Sequence, residues 1–121
     1  NDTDQIKLLR EHARQAYINQ EWELAEKKYL ALSRSEPRRA ENWFKLGNIY
    51  VNTARPEHAV SSYRQAIIIK PEHGRARHNL GMVHMRLGIY QLIHARQFLG
   101  DDEKQQTLKE LLEELQSELQ D

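Results

Sequence analysis

Apolar residues recur along this chain at helical spacing, most plainly near its C-terminus. Leu108, Leu111, Leu112, Leu115 and Leu119 fall at i, i+3, i+4, i+7 and i+11, which places them in one stripe along a helix. The pattern predicts helices at about 4–18, 21–34, 38–52, 56–69, 72–87, 89–99 and 102–120. Local signals mark several ends. Asp4 suits the cap of the first helix, Pro56 a first helical position, and Asp101 the cap of the last.

The chain is also similar to itself. A shift that lays Pro37 on Pro71 also lays Ala25 on Ala59, Tyr29 on Tyr63 and Leu46 on Leu80, while Ala13, Gly47 and Gly81 form a series of small residues. The middle unit reads Trp43-x2-Leu46-Gly47-x2-Tyr50, then Ala59-x3-Tyr63, then Ala66 and Pro71. It resembles the tetratricopeptide-repeat (TPR) signature at every marked position and at that family's period, with Tyr63 where Phe is commoner. The residue types have a packing reason. Small side chains at Gly47 and Ala59 let two helix backbones approach, large ones at Trp43, Leu46, Tyr50 and Tyr63 fill the space beside them, and Pro71 ends the second helix. One such pair cannot bury its apolar face alone, so neighbours must stack.

The resemblance covers about residues 6–100. Repeat one (about 6–39) keeps Ala13, Ala25, Tyr29, Leu32 and Pro37, but carries Leu9, His12 and Ala16 where the signature has Trp, Leu and Tyr. His12 therefore stands at a core position and is expected to be partly buried. Repeat two spans 40–73. The third, 74–100, is degenerate: it opens with Leu80 and Gly81 and has Gly88 at the expected inter-helix turn, but then places Ile93 and Gln97 at the small and aromatic positions, with no proline after them. Sliding by two would put Ala95 and Leu99 there, so the third pair is expected to be distorted or lengthened. The expectation is an all-α, single-domain α-solenoid of three TPR helix-turn-helix repeats, closed by a capping helix over 101–121.

Composition narrows the function. The 121 residues carry 18 Lys plus Arg against 18 Asp plus Glu, a zero net charge that argues against a dedicated nucleic-acid binder. The charge is unevenly placed. Residues 101–121 hold eight acids and two bases, so the rest of the chain is basic by six charges. Without cysteine there are no disulfides or thiolate sites. No apolar run approaches the roughly 20 residues of a membrane span. The first residue is Asn1 rather than Met, which reads as a processed or trimmed product from which an upstream signal or anchor could have been lost. The compartment stays open, cytoplasmic or periplasmic.

The resemblance also implies where partners bind: on first-helix residues that the packing signature leaves free. These are Lys7, Arg10, Arg14 and Tyr17 in repeat one; Glu41, Phe44, Lys45, Asn48, Val51 and Asn52 in repeat two; and Arg75, His78, Asn79, Met82, Met85 and Arg86 in repeat three. We select Arg10, Arg14, Tyr17, Phe44, Asn48, Asn52, Arg75, Asn79 and Met82 as the candidate groove. Arginine forks match carboxylates, Asn bonds an extended backbone, and Met adapts to apolar anchors, so the complement is a peptide with acidic and apolar residues. The family's carboxylate clamp for chaperone tails is not supported, because its positions hold Arg10, Arg14, Lys45, Arg75 and Asn79, and only Arg10 and Arg75 keep the required character.

Six histidines show no pair at i, i+4 and no HExxH pattern, so no metal site is expected, and no cofactor. Arg34, Arg38 and Arg39 cluster at the first inter-repeat turn without interleaved aromatics. Phosphate loops and nucleophile elbows are missing from the sequence, so an enzyme is not expected. The resemblance implies a protein–protein interaction adaptor or assembly factor. The alternative is a self-assembling structural module that homo-oligomerises, as a soluble part of a bacterial envelope, secretion or pilus assembly protein.

Overall fold

The computed structural model describes residues 1–120, which form six α-helices: α1 (Asp2–Ile18), α2 (Trp22–Ser35), α3 (Ala40–Asn52), α4 (Pro56–Ile69), α5 (Gly74–Ala95) and α6 (Asp102–Gln120). The last position of the expected capping helix, Asp121, lies outside the described residues. A short 3-10 turn, Arg96–Phe98, follows α5, and no strand occurs among the described residues. The chain divides into two compact units, Asn1–Leu80 and a second that begins at Gly81. The fold is an all-α helical repeat of the TPR type.

In the first unit α1 packs on α2, α3 on α4, and α2 on α3. The two pairs close by the same turn. Gln20 (φ 58°) and Ala54 (φ 57°), at equivalent positions of the two repeats, both take the left-handed conformation. Beside each, the next residue's N–H reaches back to close the helix end, Glu21 to the carbonyl of Ala16 and Arg55 to that of Tyr50, each at 2.9 Å. This satisfies carbonyls that the helix end would otherwise orphan, and repays the roughly 1–2 kcal/mol that a non-glycine residue costs there. Between pairs, proline keeps its predecessor out of the helical region: Glu36 (φ −131°, ψ 64°) ends α2 and Lys70 (φ −134°, ψ 89°) ends α4. A further repeat feature joins each proline to the next helix. Trp43 Nε1 donates to the Pro37 carbonyl at 3.3 Å, and Arg77 Nε donates to that of Pro71 at 2.7 Å.

The signature residues are the core. Ala13, Ala25, Leu32, Leu46, Ile49, Ala59 and Ala66 are fully buried, and Tyr29 and Tyr63 nearly so. Burying each Leu or Ile contributes about 1.5–3 kcal/mol. Gly47 lies directly beneath the Tyr63 ring. Trp43 is only half-buried and Phe44 takes its place in the interior at 4% exposure. His12 is exposed, contrary to its expected burial, because none of the described helices covers that side of α1. Asn1, not Asp4, caps α1, accepting the Asp4 N–H at 2.9 Å; the helix starts earlier than its apolar pattern suggested. Pro56 does open α4, and Asp101 caps α6 by accepting from Glu103 and Lys104 N–H.

The expected break at Gly88 does not occur. Helices anticipated at 72–87 and 89–99 are one continuous helix, α5. Gly88 holds the position that Ala54 holds in the preceding repeat, but no glycine has positive φ. The register supplies the physical reason. A turn at Gly88 would carry Arg96 and Gln97 to the positions where repeat two buries Ser62 and Tyr63, and sinking a guanidinium without a partner is costly. The helix runs on instead, and α6 supplies apolar cover. In the second unit Ile89, Leu108 and Leu112 form a core with Met85, Leu92, Leu99, Leu115 and Leu119 packed against it.

Candidate partner-binding wall

The side chains of α1, α3 and the first turns of α5 meet in the first unit around Asn48. Its Nδ2 donates to the Tyr17 hydroxyl at 3.1 Å, and its Oδ1 accepts from the Tyr63 hydroxyl at 2.5 Å and from Asn79 Nδ2 at 3.0 Å. One amide thereby ties together three first helices that are distant in sequence. Networks of this kind, with every member satisfied, fix a unique arrangement. Burial pushes the Tyr63 hydroxyl up to about 12, and Tyr29 also to about 12 through burial and the neighbouring Tyr17, so both stay protonated donors at neutral pH.

Cations stand around this network. Lys45 Nζ lies 4.2 Å above the Tyr17 ring. Burial lowers its pKa; Glu41 opposes this, and the like charges of Arg75 and Arg14 add to it. Arg75 stacks over Phe44 at 4.8 Å and reaches Glu41 at 3.4 Å, yet its side chain is 68% exposed. Arg14 is 63% exposed, with Glu11 at 4.0 Å. Three positive groups therefore gather with two carboxylates, Glu41 near Arg75 and Lys45 and Glu11 near Arg14, a net positive surface that favours an incoming anion.

The structure separates the candidate residues by role. Tyr17, Asn48 and Asn79 are joined in the hydrogen-bond network, and Arg75 covers Phe44, which is buried and forms a floor. Asn52 is exposed and donates to the Asn48 carbonyl at 2.8 Å. Arg10 is already engaged by Glu36 at 2.6 Å, with Arg10 Nε and Glu36 Oε1 buried and unpartnered. Met82 belongs to the second unit and is half-buried. Three contributors escaped the sequence reading. Glu36 and His73 carry no signal there, and Tyr63 was legible as a packing residue while its hydroxyl's role was not. His73, 6% exposed, accepts the Ala76 N–H at 3.1 Å through Nδ1, capping α5, and presents Nε2 to Glu41 at 3.5 Å. A cavity of about 350 Å³ opens there, lined by Glu41, Lys70, His73 and Arg75 among others. Among the described residues no group of three or more His, Asp or Glu side chains is placed to hold a metal ion, and no helix is long and apolar enough to cross a membrane.

Residues 40–73 match the family model for the tetratricopeptide repeat. That segment, the middle helix pair, is a tetratricopeptide repeat. Curated relatives are peroxisomal targeting signal receptors. That of Candida glabrata is 32% identical over 74 residues, that of Candida albicans 35% over 74, and that of Kluyveromyces lactis 40% over 48. The matches cover 61%, 61% and 40% of this chain but 12%, 12% and 8% of those receptors. The TPR repeats and these similarities support a role in protein–protein interaction.

Proposed function

We propose that this protein is a non-catalytic adaptor or assembly factor whose wall of first helices binds a partner segment rich in acidic and apolar residues. One observation carries the reading: Arg14, Lys45 and Arg75 converge beside the Tyr17–Asn48–Asn79 network, two of them lying over aromatic rings, with Glu41 near Lys45 and Arg75 and Glu11 near Arg14 leaving a net positive charge. Carboxylates of a guest meet the cations, and its apolar side chains meet the aromatic surface between them. Asn48 serves as the fixed centre that holds the wall in shape, because its Oδ1 accepts two bonds and its Nδ2 is engaged. The relatives' name, receptor for a targeting signal, is compatible with recognition of a segment of another protein.

The test is fluorescence anisotropy with labelled peptides that alternate Leu with Asp or Glu, beside counterparts in which Lys replaces the acids. The acidic peptides are expected to bind, and the exposed double variant R14E/R75E to lose at least about tenfold in affinity, some 1.4 kcal/mol. Equal binding of both peptide signs, or an unaffected double variant, overturns the reading. Concentration-dependent self-association abolished by the same substitutions would transfer the wall to a second copy.

A further inference from the structure

The second unit carries a cleft that the function proposed above does not use. It lies where α5 gives way to α6, has a volume of about 570 Å³, and is floored by Leu92, Ala95, Leu99, Leu108 and Leu111. Leu108 belongs to the core at 7% exposure, whereas Leu111, on the same leucine stripe, is left 41% exposed. The unit exposes further large apolar side chains. Ile93 (43%) and Phe98 (84%) each stand next in the chain to a cleft residue, and Tyr90 is 59% exposed. Single exposed hydrophobics are ordinary; an apolar cleft whose own floor residue Leu111 is left exposed, with Ile93 and Phe98 next in the chain to two others of its floor, is the kind of surface that a partner covers.

Charge selects the occupant. Asp101, Glu103 and Lys104 stand at the cleft, a surplus of acid, and α6 continues with Glu110, Glu113, Glu114 and Glu118 against Lys109 alone. A second copy docking through this same face would set these carboxylates against their own images, and like charges across an interface are unfavourable. A helix with apolar anchors one turn apart and lysines or arginines beside them satisfies both the floor and the rim. We propose that the α5–α6 cleft is a docking site for a basic amphipathic helix of a partner protein. It is independent of the wall in the first unit, which selects the opposite charge.

Two labelled helical peptides of about 18 residues test this, one with a leucine face and Lys elsewhere, the other with the same face and Glu elsewhere. The Lys peptide is expected to bind the unaltered protein at least about tenfold more tightly than the Glu peptide. Binding of the Lys peptide should fall at least about tenfold in the double variant L111N/E103K and stay unchanged in R14E/R75E. Both altered cleft residues are exposed, and circular dichroism checks that the variant keeps its helices. E103K alone, a change of charge only, should lose part of the effect. Amide chemical-shift changes should centre on Leu92, Ala95 and Leu111. Equal binding of the two peptides, an unaffected L111N/E103K variant, or shifts centred elsewhere each overturn the proposal. So does a dimer, seen by sedimentation, that L111N/E103K dissolves.

Discussion

Replacing Gly47 by alanine tests the packing logic of the repeat. A Cβ at this position would come within 2.8 Å of the Tyr63 Cζ and closer still to other atoms of that ring. The ring has little room to withdraw. Tyr63 is 1% exposed, its hydroxyl is held by Asn48 at 2.5 Å, and Phe44 packs against it with ring centroids 6.1 Å apart. Overpacking of this kind costs about 1–3 kcal/mol, and a ring fixed at both ends belongs at the upper limit. Alanine returns roughly 1 kcal/mol through its better helix propensity. The net expectation is a loss of about 2 kcal/mol. At about 4–8 °C per kcal/mol for a unit of this size, the melting temperature drops by roughly 10 °C. Gly81, one repeat later, is the control: a Cβ there meets nothing within 4 Å, so G81A should stabilise by about 0.5–1 kcal/mol. Thermal and urea denaturation followed by circular dichroism measure both. In a Y63L background G47A should lose most of its penalty. The reasoning is refuted if G47A is neutral or stabilising, or if the two glycines respond with the same sign and size.

Three other outcomes follow from the same contacts. N48A removes the shared partner of Tyr17, Tyr63 and Asn79 and should cost about 1–3 kcal/mol, with a changed near-ultraviolet aromatic signal, as buried hydroxyl and amide groups lose their bonds. The bidentate hydrogen bond from Arg55 holds the Glu26 carboxyl below its ordinary value of 4.5, against the opposing effect of burial. Its stabilisation is therefore full above the unfolded-state pKa and lost as pH falls through the lower folded-state value. Arg55 is 37% exposed, so the contribution is only about 0.5–1 kcal/mol, and the acid limb of the stability–pH curve should flatten by that amount in E26Q. L112A empties the centre of the α5–α6 core and should cost about 2–4 kcal/mol, read as loss of amide-exchange protection in α6.

The sequence alone determined the helical class, the repeat period, both inter-pair proline stops and the Leu stripe of α6, because these depend on local chemistry: proline's fixed φ, a small residue where backbones approach, and a periodic apolar face. It also placed Tyr17, Asn48 and Asn79 among nine candidate first-helix positions that the packing signature leaves free, but not that their side chains bond to one another. The tertiary structure decided the rest. Gly88 suits a turn better than Gln20 or Ala54 does, yet those two make the turn and Gly88 does not, because the turn is worth forming only if the next helix brings apolar side chains to the positions held by Ser62 and Tyr63, and Arg96 and Gln97 do not. Phe44 became floor and Arg10 became engaged for a similar reason. Whether a side chain is free depends on partners such as Tyr63, His73 and Glu36, which lie on other helices or turns and reach it only once the helices have stacked.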